Sequence, residues 1–371
     1  MTRRGLLLGV GAAALAGPVL AQGSSSMRYT ALALQTVCDA VNQDSSTEDA
    51  HARMDRAIAR VRGQIGAAKG FLKGFNGYDL KLVVLPEYWM TGFPLGETRE
   101  EWQDKAAIPM DGAFPDKLAG MAQALGVYLC SNHYETDENF PELYFQSNVV
   151  YAPNGDVVLR YRRMISLYTP SPYDVWDKYL EVYGADAVFP VAETEIGALA
   201  TIASEEILYP EIARMAALKG AEIFLHPTSE VGAPGLTPKH ISKKARAVEN
   251  IAYVVSANSA GIIGTPVPSA STDAMSIVLD WYGRTLAEAG YGETINANAV
   301  LDVGALRDTR RKTGMTNTLS RLPNAAFAEA YAKSEMAPAN RTPDAAMIER
   351  AEALAQQQAV IDRLVADGVL K

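Results

Sequence analysis

The stretch "IASEEILYPEIAR", Ile202 to Arg214, decides how this chain is read. It leaves an apolar run, sets Ser204 ahead of two carboxylates, and opens a helix at Tyr209-Pro210. Proline suits a first helical turn, where its missing N–H is not needed. Strand, turn and helix in that order is how α/β proteins present reactive groups at strand ends. Ser204 marks either a nucleophile or the place where one would stand.

Outward from that turn, apolar runs of strand length alternate with helical patterns. Strands are expected at 29–37, 80–87, 127–135, 197–203, 221–229 and 252–261, and helices at 51–70, 114–126, 210–219 and 238–251. Residues 144–163 read as a hairpin through Pro153-Asn154-Gly155, and 273–289 as another through Trp281-Tyr282-Gly283. Two αβ halves with hairpins at their edges imply an α/β fold of four layers, an α-β-β-α sandwich spanning residues 27–303. Residues 304–371, richer in charge and alanine, read as a C-terminal extension with a helix at about 342–366.

The 371 residues are 48% hydrophobic and 21% charged, enough to bury a sizeable core. A net charge of −9 argues against nucleic acid or an acidic membrane as a partner. The body of the chain has no apolar run of about 18 residues, so no membrane span is expected after the N-terminus. Residues 1–26 differ: Arg3-Arg4 precede an apolar run from Gly5 to Ala21, with small residues at a plausible cleavage point. This reads as a twin-arginine signal and implies a periplasmic protein, or a cytoplasmic one if translation starts at Met27. Cys38 and Cys130 are either one disulfide or two unpaired thiols. No Cys/His spacing suggests a metal site, and no cofactor is expected.

Three strand ends carry candidate chemistry. "VVLPEYWMTGFP" (83–94) ends an apolar strand on Glu87, which suits a general base or a turn-capping carboxylate. "LRYRRMISLY" (159–168) sets Arg162 and Arg163 after a hairpin. The third is the Ser204 turn. His133 and His226 stand near strand ends, where either could pair with Ser204, and Trp89, Tyr168 and Tyr209 could line a small pocket.

Together these segments resemble the nitrilase superfamily of carbon–nitrogen hydrolases. "LPEYWMTGFP" is similar to its strand-end glutamate segment, "RYRRMI" stands where the family has Tyr-Arg-Lys, and "SEEILYPEIAR" is similar to its nucleophile segment. "KARAVENIAYVVSANSAG" and "SIVLDWYGRTLAEA" resemble the helix, strand and terminal hairpin that follow. The resemblance covers about 29–303. It implies a hydrolase of amide or nitrile bonds with Glu87 as base, a small-molecule substrate, and a homodimer or larger homo-oligomer through 210–219 and 238–251.

Two positions depart from that pattern: Ser204 stands for the nucleophilic cysteine and Arg163 for the lysine. Where many members carry a second glutamate, Ser171 falls nearby. A serine hydroxyl is much harder to deprotonate than a thiol. Arginine keeps the charge in a larger, planar form that gives up no proton near neutrality. It could stabilise an oxyanion, or pair with Glu87 or Glu205 and close the site. Cysteine-dependent catalysis is therefore expected to be absent. Two functions stay open: an enzyme acting through Ser204 or a water activated by Glu87, and a catalytically silent protein that binds an amide-like ligand or serves assembly. His133, His226, Trp89, Glu205 and Tyr209 are the candidates for contacting the ligand.

Overall fold

The computed structural model describes residues 27–232, 236–334, 336–342 and 349–371. The expected signal at 1–26 lies outside the described residues, as does the start of the helix expected at 342–366.

In chain order the strands are β1 (Arg28–Ala33), β2 (Val37–Asp39), β3 (Leu80–Val84), β4 (Ala107–Pro109), β5 (Tyr128–Thr136), β6 (Tyr144–Tyr151), β7 (Val157–Arg162), β8 (Ala192–Thr194), β9 (Gly197–Thr201), β10 (Ile223–Pro227), β11 (Tyr253–Ala257), β12 (Gly261–Ile263), β13 (Ile277–Leu279), β14 (Thr285–Glu288) and β15 (Asn298–Asp302). The helices are α1 (Thr47–Asn76), α2 (Arg99–Ala106), α3 (Ala113–Leu125), α4 (Trp176–Tyr183), α5 (Pro210–Leu218), α6 (Pro238–Asn250), α7 (Val303–Arg311), α8 (Asn324–Ala332) and α9 (Arg350–Ala366).

One sheet runs β15-β1-β3-β5-β6-β7, with β4 beside β5, and the second runs β14-β13-β11-β10-β9-β8. Each has a parallel centre, β1-β3-β5 and β9-β10-β11, flanked by antiparallel strands.

Alternation along the strands explains the four layers. In β1, Ala31 and Ala33 enter the core between the sheets, while Leu32 faces the core under α1 and α3. In β3, Leu82 and Val84 face the first core and Val83 the second. Period-two side chains that are apolar on both faces require cover on both, and two layers of helix supply it. The small alanines of β1 let the facing sheet approach closely. The second sheet packs its outer face on α5 and α6 through Ile212, Ala213, Ala216 and Ala247.

The 304–371 region folds back on its own chain. Arg307 pairs with Glu222 at 2.6 Å, and Arg310 donates to the carbonyl of Ile251 at 2.8 Å. Further on, Arg341 pairs with Asp174 at 2.6 Å, just ahead of α4. Two connections were not anticipated as helical, and they form α2 and α4. The two cysteines are free and buried, on β2 and β5, so the disulfide alternative falls.

Candidate active site

The first sheet delivers Glu87 just past β3 and Arg163 just past β7, and the second delivers Ser204 just past β9. Two of these turns are held in left-handed backbone. Tyr88, directly after Glu87, has φ 63°, and Ser204 itself has φ 47°. Non-glycine residues rarely adopt such angles, which cost about 1–3 kcal/mol each and gather at functional sites.

Glu87 is 1% exposed, and both of its carboxylate oxygens are occupied. Oε1 accepts from Gln146 Nε2 at 2.8 Å and from Arg163 Nη1 at 3.3 Å, while Oε2 accepts from the Ser229 amide at 3.1 Å. Arg163 also donates to Gln146 Oε1 at 2.5 Å, to the Ile165 carbonyl at 2.8 Å, and to Glu205. It is thus a buried cation between two carboxylates, one enclosed and one 37% exposed at the side chain. Burial disfavours the guanidinium, and the charges of Glu87 and Glu205 more than restore it, holding the group ionised.

The adjacent arginine does something else. Successive strand residues face opposite ways, so Arg162 meets Glu135 and Asp137 and lies over the rings of Phe145 and Tyr183, at 4.7 and 4.6 Å. The pair that looks uniform in sequence splits into one structural arginine and one site arginine.

No hydrogen bond joins Glu87 to Ser204 among the described residues. The Ser204 hydroxyl instead accepts from Lys239 Nζ at 3.1 Å, and Lys239 also reaches Thr228 Oγ1 at 3.4 Å. Lys239 stands in the first turn of α6, which Thr237 caps by accepting from the His240 amide at 3.1 Å. One turn on, buried Lys243 is 3.7 Å from Glu230.

His226 reaches Ser204 by its backbone. The ring Nε2 is 2.8 Å from the Ser204 carbonyl, and Nδ1 is 2.8 Å from Ser256 Oγ. A carbonyl only accepts, so Nε2 carries the proton and Nδ1 accepts from Ser256. Burial, the nearby Lys243 charge and Lys239 keep His226 neutral, with its pKa well below 6.5. His226 fixes the strained turn and makes no contact with the hydroxyl.

Glu206 locks the same turn from behind. Its buried carboxylate accepts from the Tyr161 hydroxyl at 2.8 Å and from the amides of Met164, Ile165 and Ala203 at 2.7, 3.0 and 3.1 Å. It ties the Ser204 turn to the segment that carries Arg163. Burial pushes its pKa up to about 7 against the opposing pull of Arg163 and those donors.

The remaining candidates separate. Glu205, partly exposed, pairs with Arg163, and the exposed Tyr209 lies near those two charges. His133 does not join them. Its neighbour Asn132 faces the site, with Oδ1 3.4 Å from Gln146 Nε2, so His133 points to the other face of β5 with Glu135. Burial there lowers its pKa to about 4. Trp89 is also a core residue: it is fully buried and its indole donates to Ser131 at 3.0 Å. Tyr168 stacks under Arg350, and Ser171 bonds Asp174, so neither reaches Glu87. Cys38 donates to the Glu87 carbonyl at 3.3 Å, and burial pushes both thiols far above their usual range, which leaves them inert.

A cavity of about 260 Å³ opens next to Tyr88 and Ser229, with Glu230, Ile262, Val267 and Thr272 also in its wall; Glu87, Arg163 and Ser204 do not line it. Its apolar walls and its place at the strand ends suit a small ligand. Gln146, Ser229 and Lys239 were not foreseen as site residues. Each reaches the site through tertiary placement, with no local pattern to announce it.

Paired sheets with a glutamate, a cation and a strained serine turn at converging strand ends define a class, and comparison with known sequences reaches the same one. The chain belongs to the carbon–nitrogen hydrolase family, whose model matches residues 40–311. It is similar to a nitrilase of Pyrococcus abyssi, 29% identical over 57% of this chain and 74% of that protein. It is also similar to omega-amidase NIT2 of Danio rerio, 23% identical over 70% and 90% of the two chains. Among solved structures, a carbon–nitrogen hydrolase from Helicobacter pylori G27 superposes with a TM-score of 0.61 at 21% identity, covering 83% of this chain and all of that one (100%). Nit3 of Saccharomyces cerevisiae, from the nitrilase superfamily, gives 0.58 at 19% identity over 80% and 97%. At such identities the structures speak for the fold, the α-β-β-α sandwich.

Proposed function

We propose that the protein takes a small amide- or nitrile-like compound at the Ser204 turn and lacks cysteine-dependent hydrolysis. The observation carrying this reading is the commitment of Glu87 to Arg163, Gln146 and the Ser229 amide, with serine at the nucleophile position. A glutamate so engaged accepts a proton from a serine hydroxyl only at heavy cost. The amidase and nitrilase names among the relatives support the ligand class.

A second reading, a catalytically silent binding or assembly protein, is favoured by the way Arg163 joins Glu87 to Glu205. One experiment separates them: thermal stabilisation and hydrolysis measured with acetamide, butyramide and propionitrile, for wild type and Ser204→Ala. Turnover lost in Ser204→Ala with stabilisation retained supports the enzyme. Stabilisation without turnover in either protein supports the silent reading. Neither effect with any compound would remove the proposed ligand class.

The proposal includes export to the periplasm, supported by Arg3-Arg4 and the apolar run behind them. Changing both arginines to lysine should retain the protein in the cytoplasm; periplasmic recovery of that variant would contradict export by this route. A homo-oligomer is supported by Leu218, Ile241 and Val248, exposed on α5 and α6. Light scattering that gives a monomer mass would overturn it.

A further inference from the structure

We infer that Ser204 and Lys239 form a serine–lysine dyad, in which Lys239 exchanges the hydroxyl proton of Ser204 during acyl transfer. The inference rests on the proposal that the Ser204 turn takes a small acyl compound, and adds the chemistry that turn performs. Four observations converge on it. Lys239 Nζ lies 3.1 Å from Ser204 Oγ, within direct proton-transfer distance. Glu87, the expected base, makes no bond to that hydroxyl among the described residues, and its carboxylate is occupied by three other donors. His226, the other candidate base, is spent on the Ser204 carbonyl. Lys243 sits beside Glu230, so of the two lysines on this face of α6 it is Lys239 that serves Ser204.

The geometry around the pair is built to hold it. Left-handed backbone at Ser204, with φ 47°, is fixed from one side by His226 and from the other by Glu206 through the Ala203 amide. The lysine is placed by the capped start of α6 and steadied by Thr228 Oγ1. Serine–lysine pairs are an established variant of the serine–histidine design, recognised by geometry and not by sequence position.

In its unprotonated form, the Lys239 amine takes the Ser204 proton while Oγ bonds to the acyl carbon. The tetrahedral intermediate then collapses, its carbon–nitrogen bond breaks, and the departing amine receives the proton from the Lys239 ammonium. Water next attacks the acyl-serine with Lys239 taking its proton, and the ester bond breaks as Oγ is reprotonated. The products are a carboxylic acid and an amine or ammonia. Arg163 takes no part in proton transfer; its charge stays with Glu87 and Glu205.

The test uses p-nitrophenyl acetate, followed by nitrophenolate release and by mass mapping of the acetylated peptide, with butyramide-induced thermal stabilisation measured in parallel. Wild type should acquire one acetyl group, on Ser204, and Ser204→Ala none. Lys239→Met and Lys239→Arg should each slow acylation by roughly 10²-fold or more while keeping the butyramide effect. Lys239→Arg guards against a folding artefact, since it preserves the charge and can donate to Ser204 but cannot act as base. Wild-type acylation rates in Lys239→Arg would overturn the dyad. So would absence of acetyl on Ser204 in wild type that is still stabilised by butyramide, an outcome that leaves the ligand proposal standing. Loss of both effects in wild type would remove the ligand proposal as well.

Discussion

Replacing Arg163 with methionine tests how the site is held together. Arg163 is the one cation bonded to the enclosed carboxylate of Glu87 among the described residues, at 3.3 Å, and it is itself 6% exposed. Removing one partner of a buried ion pair leaves an uncompensated charge, typically at a cost of about 3–5 kcal/mol. Here Gln146 and the Ser229 amide still donate to Glu87, which places the expected loss near the lower end, about 3 kcal/mol. Glu205 is much more exposed, and its lost contact adds little. Most of the damage should vanish once the stranded charge is removed. In a cycle of Arg163→Met, Glu87→Gln and the double variant, followed by urea denaturation at pH 7, the double variant should be more stable than additivity predicts by about 2 kcal/mol. Additive losses, within about 0.5 kcal/mol, would refute the idea that Arg163 serves as the counterion of Glu87.

Further predictions concern the turn and the cavity wall. Glu206 has its pKa raised from 4.5 to about 7, so the folded chain holds this proton more firmly than the unfolded one. Its contribution to stability is fully present below 4.5 and fades as pH rises through about 7, a change of about 3 kcal/mol. The stability deficit of Glu206→Gln relative to wild type should shrink by that amount between pH 4.5 and 8, and a constant deficit would contradict it. His133 works in the opposite sense. Its pKa falls from 6.5 to about 4, so its contribution is present above 6.5 and lost as pH falls toward 4. His133→Asn should flatten the acid side of the stability profile, and an unchanged acid slope would show that His133 is not the group titrating there. Gly264, at φ 81°, would drive a Cβ into the carbonyl oxygen of Ala40, which is backbone and cannot swing aside. Gly264→Ala should lose about 1–3 kcal/mol in urea denaturation, and wild-type stability would show that the loop beside the cavity yields.

What the sequence made legible, and what it hid, follows from periodicity. Strand ends were readable because β3 and β9 are apolar runs that stop abruptly at polar residues, which fixed Glu87 and Ser204 as ends of buried strands. The hairpin containing Arg163 was equally plain, yet only strand parity separates Arg163 from Arg162, and parity depends on where pairing begins. The same one-residue uncertainty misplaced His133, whose neighbour Asn132 faces the site. Helix α2 escaped notice because "REEWQDKA" buries only Trp102 and Ala106, too few for an apolar stripe. Lys239 carries no local signal in the sequence beyond its place at a helix start. Its meaning comes from the packing of α6 against the turn after β9, two elements that sequence spacing cannot orient.

The central claim, that this fold here works without a thiol, has a direct measurement. Amide hydrolysis is assayed with acetamide and butyramide before and after iodoacetamide treatment, with mass mapping of Cys38 and Cys130. Both thiols are buried, so the account predicts unmodified cysteines in the folded protein and no component of turnover sensitive to alkylation. Turnover that disappears when either cysteine is alkylated would contradict it.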